Sequence, residues 1–192
     1  MFNKNIKVVI VFILLLNFFF LDGKEVFDVY EVHRVKYRRD LKRSCMIGCY
    51  YPNSDRIRLL RKGSYVSVSE LNQTALHELA HWTRHESRLG PLGGSYRYPG
   101  FWEEILCDIS AAVVADELGL ARASDREVCG YVHDYLGHRR LKETQWALIF
   151  KEILGTVSYL LAEEYPQSKL MKHFVDIGII HPTLAEKLEA RT

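Results

Sequence analysis

Apolar and polar positions change their rhythm twice along this chain. Residues 45–51 are apolar and β-prone, Pro52-Asn53-Ser54-Asp55 is a dense turn signal, and Arg56-Ile57-Arg58-Leu59 alternates with period two. These residues predict a β-hairpin, with Lys62-Gly63-Ser64 as the break after it. From there the spacing becomes helical. Ser67-Val68-Ser69-Glu70 reads as a capping box, and Leu71, Ala75, Leu79 and Trp82 follow at three- and four-residue intervals, predicting a helix with one buried face. Gly90-Pro91-Leu92-Gly93-Gly94 must be loop. A second helix is predicted over 101–118, stopping at Gly119, with Ile105, Ile109, Ala112, Val113 and Asp116 along one stripe. Further helices are predicted over 125–136 and 141–165, the latter marked by Trp146, Phe150, Ile153, Val157 and Leu161. Short helices over 169–175 and 183–190 close the chain.

The pattern at the start is different. Lys4 and Lys7 precede an apolar run over residues 8–21, interrupted only by Asn17. A basic start followed by such a run resembles a signal-peptide core or an anchor, so 1–23 is expected to be a signal-like or membrane-anchor segment. On that expectation the protein is membrane-anchored or exported; a buried strand in a cytoplasmic protein is the alternative. Residues 25–35 are mixed but strand-like, and Arg34, Lys36, Arg38, Arg39, Lys42 and Arg43 with Tyr37 form a basic cluster. That cluster could track a phosphate backbone, although a solvated loop is the commoner outcome.

Composition narrows the class. In 192 residues, 48% hydrophobic and 26% charged content is that of a globular protein, and residues 24–192 are expected to form one domain. A net charge of +2 gives no independent argument for nucleic acid. Cys45, Cys49, Cys107 and Cys129 are too scattered for a disulfide scaffold, and Cys45 and Cys49 have no second pair downstream to complete a zinc site. Those two are expected to be buried thiols.

The chemistry concentrates in the first predicted helix. His77-Glu78-Leu79-Ala80-His81 is HExxH. Four residues turn through about 400°, so His77 and His81 stand one above the other and can grip one Zn²⁺, while Glu78 can reach a metal-bound water as general base. A catalytic zinc wants a third protein ligand and an open position. Glu104 and Asp108 lie four apart on the second helix. In a thermolysin-like arrangement the first of two such acids binds metal and the second accepts a ligating histidine's spare ring N–H, which would make Glu104 the third ligand and Asp108 the acceptor, with Glu103 the competitor one residue earlier. Two histidines and a carboxylate would also suit Mn²⁺ or Fe²⁺.

The stretch from His77 to Leu89, with Trp82-Thr83 and Ser87-Arg88-Leu89, followed by Glu103-Glu104-Ile105-Leu106-Cys107-Asp108-Ile109 and Glu117-Leu118-Gly119, resembles a known family. It is similar to the zincin-like metallopeptidase domain of ArdC/TraC-type antirestriction proteins, which shows HELxHWTGHxSRL and then an EELVAEI-like helix. Tyr50 to Ile57 resembles that family's YYxPxxDxI hairpin, and the likeness covers roughly 26–165. Arg84 departs from the family's glycine and Asp108 from a glutamate. The resemblance implies an α+β, zincin-like fold, mostly helical with a small N-terminal hairpin or sheet and the HExxH helix at its active site. It implies Zn²⁺ on His77, His81 and an acid of the second helix, with Glu78 as catalytic acid/base. Thermolysin-like sites also use a Tyr or His on the oxyanion; His85, His133 and Tyr131 are candidates, and the resemblance favours Tyr131. The expected function is zinc-dependent hydrolysis of protein or peptide substrates, in a protein of a mobile element. The alternative is an antirestriction or DNA-associated binding protein on the same scaffold. The family usually carries an N-terminal single-stranded-DNA-binding domain, where this chain has its apolar run, so DNA binding is not expected to carry over.

Overall fold

The protein is described by a computed structural model over residues 33–35, 47–60, 64–92 and 100–189. The apolar run 8–21, strand-like residues 25–32, the basic cluster from 36 to 43, and Cys45 lie outside the described residues.

Among the described residues three strands and six α-helices follow one another: β1 (His33–Val35), β2 (Gly48–Tyr51), β3 (Arg56–Leu60), α1 (Val68–Thr83), α2 (Gly100–Glu117), α3 (Asp125–Leu136), α4 (Glu143–Leu161), α5 (Gln167–Asp176) and α6 (Pro182–Glu189). The architecture is α+β, mostly helical with a small N-terminal sheet, as the sequence pattern predicts. β2 and β3 are the expected antiparallel hairpin, with Gly48 opposite Leu59 and Tyr51 opposite Arg56. Its connection is one turn of 3₁₀ helix at Pro52–Ser54, closed by Asp55 in the left-handed region at φ 49°. β1 then adds in parallel to β3, with His33 opposite Arg58, a pairing that the hairpin pattern did not announce. The order β1-β3-β2 leaves β2 at an edge. On β3 the alternation works as expected: Ile57 and Leu59 are buried, Arg56 and Arg58 exposed.

α1 begins where the capping signal falls. The Ser67 hydroxyl accepts from the Glu70 N–H at 3.0 Å, and the Glu70 carboxylate accepts from the Val66 N–H at 2.7 Å. Leu71, Ala75 and Leu79 are buried, Ala75 and Leu79 in one core cluster with Ile57 and Leu59 of the sheet and Ile105 of α2; Trp82 is half-buried. α2 is the centre of the molecule, touching α1, α3 and α4. Every residue from Ile105 to Ala115 is buried, so this helix has almost no solvent face. The chain then turns at Gly119 (φ 64°).

Three expectations are corrected. The fourth helix, predicted over 141–165, ends at Leu161, because Ala162 adopts the left-handed conformation (φ 56°) and its N–H caps the helix on Ser158 and Tyr159 carbonyls. Tyr165 N–H then bonds the Ser158 hydroxyl, so residues 162–165 fold back before Pro166. Cys49 is only half-buried, since it sits on the edge strand. A membrane-anchored or exported protein is not supported: among the described residues no helix is long and apolar enough to cross a membrane.

Candidate metal centre

α1 and α2 pack with their polar positions facing each other across a cleft of about 1180 Å³. The cleft follows α1 from Ser67 to His85, lined at helical spacing by Glu70, Thr74, His77, Glu78 and His81. The sixteen helical residues of α1 at the helical rise make it roughly 24 Å long along the helix. β2 borders it through Gly48, Cys49 and Tyr50, and α3 through Glu127, Tyr131 and Tyr135.

At its middle three donor atoms converge. His77 Nε2 lies 3.1 Å from His81 Nε2 and 3.2 Å from Glu104 Oε2, and His81 Nε2 lies 3.5 Å from the same Glu104 oxygen. Four-coordinate zinc with bonds of roughly 2.0–2.1 Å requires ligand atoms about 3.3 Å apart, so this triangle has the right size for one ion. The other ring nitrogens are already engaged. His77 Nδ1 is 2.7 Å from Asp108 Oδ1, and His81 Nδ1 is 2.8 Å from Glu103 Oε1. A proton on each Nδ1 leaves each Nε2 a bare lone pair aimed at the common point, which is how a metal site orients its histidines. Among the described residues this is the one group of His, Cys, Asp and Glu that could hold a metal ion.

The electrostatics call for a cation here. Burial opposes charge on His77, but its bonds to Asp108 and Glu104 win and push it up to about 10. His81 is likewise raised despite its burial, by Cys107, Glu103 and Glu104. Glu104 is driven well below the usual carboxylate range, its burial outweighed by the two imidazoles. Glu78 behaves oppositely. Only 8% exposed, its carboxyl is raised by burial, against the pull of His77, His81 and a bond from the Tyr50 N–H.

The predicted residues thus fall into two groups. His77, Glu78, His81, Glu104 and Asp108 come together. Glu103 does not point at the donor triangle but at His81, a role the sequence reading missed. The signal was arithmetical: the two histidines of HExxH offer two Nδ1 atoms to be paired, and 103–108 holds three acids. Tyr131 lies on the cleft wall, 44% exposed, raised by burial and by Glu127, Asp108 and Glu70. Tyr135, one turn further along α3, was also missed. It is half-buried and raised by burial and by Asp108 and Glu104, so it feels the centre directly. His85 lines the cleft and is bonded to Ser87; His133 is exposed and is not part of the lining. Arg84 follows α1, and its guanidinium turns inward to Glu152 of α4 at 2.7 Å, joining the two helices.

A second cluster fixes the hairpin over this centre. Arg88 makes a two-pronged pair with the Asp55 carboxylate, one prong at 2.9 Å, donates to the Tyr50 hydroxyl at 3.3 Å, and lies 3.8 Å over the Trp82 ring. Its Nε donates to the Trp82 carbonyl at 2.6 Å, and the Tyr50 hydroxyl donates to Asp55 at 2.9 Å. The turn of the hairpin is thereby clamped to the end of α1.

Over 73 residues the chain is 41% identical to two Escherichia coli proteins, each named DNA primase TraC. The match takes in 37% of this chain but only 7% and 5% of theirs, so the chain spans less than a tenth of the length of these curated relatives. No solved structure matches the chain. A family model described as zincin-like metallopeptidase matches residues 34–151, a stretch that includes the β2–β3 hairpin, α1, α2 and the donor triangle, and on that match the chain belongs to the zincin-like metallopeptidase family.

Proposed function

We propose that the protein is a zinc-dependent peptidase, with His77, His81 and Glu104 as metal ligands and Glu78 as acid/base. The observation that carries this reading is the convergence of three lone-pair donors at 3.1–3.5 Å with both histidine Nδ1 atoms on carboxylates. A zinc ion bound there would lower the pKa of a water toward about 7 and polarise the scissile carbonyl. Asp108 and Glu103 keep each imidazole in the tautomer that leaves Nε2 free. Glu78 accepts the proton of the attacking water and delivers it to the leaving amine nitrogen; its raised pKa suits a group that must hold that proton between the two steps. Its burial keeps competing water from the carboxylate. β2, an edge strand among the described residues, borders the cleft and would offer backbone groups to an extended polypeptide lying there.

The oxyanion falls to a tyrosine of α3. Tyr131 is the residue that the family resemblance favours, and Tyr135 is the one whose hydroxyl feels Glu104 and His81. Y131F and Y135F, assayed for kcat, separate the two.

The test is zinc content and hydrolysis of labelled casein by wild type, H81A, E104A and E78Q. One zinc per chain, lost in H81A and E104A, and turnover lost with zinc kept in E78Q, is the expected result. Hydrolysis undiminished in E78Q would end the peptidase reading.

The likeness to proteins named DNA primase TraC favours a second reading, a DNA-associated antirestriction factor on the same scaffold. DNA affinity that falls steeply with salt would support it, and no binding at low salt would dismiss it.

A further inference from the structure

Gly48 is a glycine for want of space, not for backbone freedom. It lies within β2, and it is absent from the glycines of positive φ. A Cβ built on it would stand 2.6 Å from Thr74 Cγ2, 3.0 Å from Glu78 Cγ and 3.1 Å from Glu78 Oε1. Carbon atoms in good contact are about 3.5–4.0 Å apart, so a methyl at position 48 would have to lift the strand or displace α1 side chains by nearly an ångström. An isolated glycine inside a strand commonly marks such a close backbone approach.

The ladder explains what this approach is for. The Ile47 carbonyl accepts from Leu60 N–H, so in the antiparallel alternation Ile47, Cys49 and Tyr51 turn their backbone groups toward β3. Gly48 and Tyr50 turn theirs outward, to the edge that borders the cleft. The Tyr50 N–H finds the Glu78 carboxylate. One strand edge therefore meets Glu78 twice, as a steric floor at Gly48 and as a hydrogen-bond donor at Tyr50.

We propose that Gly48 is a positioning residue for Glu78: the missing side chain seats β2 on Thr74 and Glu78 closely enough for the Tyr50 N–H to hold the carboxylate in place. The proposal rests on the peptidase reading for its catalytic consequence, but the seat itself is a property of the fold. It differs from ligation, since Gly48 touches none of the three donor atoms, and from core packing, since its neighbours include the acid/base itself.

The experiment uses the full chain loaded with zinc and labelled casein as probe. G48A is expected to keep one zinc per chain and to lose kcat by about 100-fold, the size of effect of an ångström's misplacement, with KM little changed. G48A/T74S, which removes the methyl that the new Cβ strikes, is expected to recover part of the loss. Amide hydrogen exchange supplies the readout that needs no activity. In G48A the Tyr50 amide should exchange at least about ten-fold faster, as in E78A, while the Cys49 amide, turned toward β3, keeps its protection. Full kcat and unchanged Tyr50 exchange in G48A would overturn the proposal. If wild type does not cleave casein the peptidase reading falls, and Tyr50 exchange still decides the seat. Should G48A fail to fold by circular dichroism, the same measurements on G48A/T74S against T74S take its place.

Discussion

Replacing Arg88 with alanine removes the centre of the clamp between hairpin and helix. Its side chain is 9% exposed, and the Asp55 carboxylate that it grips is 39% exposed. Removing one partner of a fully buried pair costs about 3–5 kcal/mol, whereas exposed pairs contribute about 0–1. With one end buried and the other screened by water, about 2 kcal/mol is the reasonable middle. Loss of the stacking over Trp82 adds about 1 kcal/mol. A total near 3 kcal/mol corresponds to a fall in Tm of about 6–12 °C for a chain of this length. Urea denaturation of wild type, R88A, D55A and the double variant measures it, and the cycle should give a coupling of about 1–2 kcal/mol. R88K keeps the charge but not the planar fork, so it should recover less than half. A coupling below about 0.5 kcal/mol would refute the reasoning, because it would mean that the pair is no better than a surface contact.

The same clamp predicts an acid-side response. Arg88 holds the Asp55 carboxyl below its ordinary value of 3.8, so the pair's stabilisation is full above that value and is lost as pH falls through the lowered one. Urea midpoints from neutral to acidic pH should drop less steeply in R88A than in wild type. At the metal centre the sign is reversed. His77 is pushed up to about 10, so the metal-free protein holds excess protons on its histidine pair at pH 7, and loading zinc should release one to two of them. Apparent zinc affinity should therefore rise with pH through the neutral range; calorimetry in buffers of different ionisation enthalpy counts the protons, and zero release would contradict the assignment. E103Q and D108N should each weaken zinc binding by about 10–100-fold through loss of a histidine's carboxylate partner, read by competition with a chelator. An effect from D108N alone would remove Glu103 from that role.

How much of this was legible beforehand depends on how local each feature is. The helix through HExxH, its Ser67 cap, the hairpin at Pro52–Ser54 and the existence of α2 follow from neighbours in sequence, and each was readable; the burial of α2 on every side was not, since its pattern announces only a stripe. Glu104 and Asp108 were readable because α-helical spacing places them on one side. Glu103 was not, since only the packing angle of α2 against α1 brings a residue about 100° away round the helix to His81 Nδ1. The parallel β1–β3 pairing is non-local and leaves no periodic trace. The early end of α4 turns on Ala162 in a left-handed conformation that alanine rarely takes, which no propensity would announce. Tyr135 was hidden for the opposite reason: at a four-residue step from Tyr131 it was as visible, but no motif singled it out.

The buried character of α2 has a consequence for how this protein can change. Three acidic side chains of the centre ride on a helix whose residues from Ile105 to Ala115 are all buried. A volume change at Ile109 or Val113 would tilt that helix and carry Glu104 away from the two histidines, even though neither residue lines the cleft itself. Drift in the core and drift in activity are therefore not separate histories here. The interior of α2 must evolve in concert with the candidate metal site, and variants selected only for thermal stability should as a class alter that site when they fall on this helix.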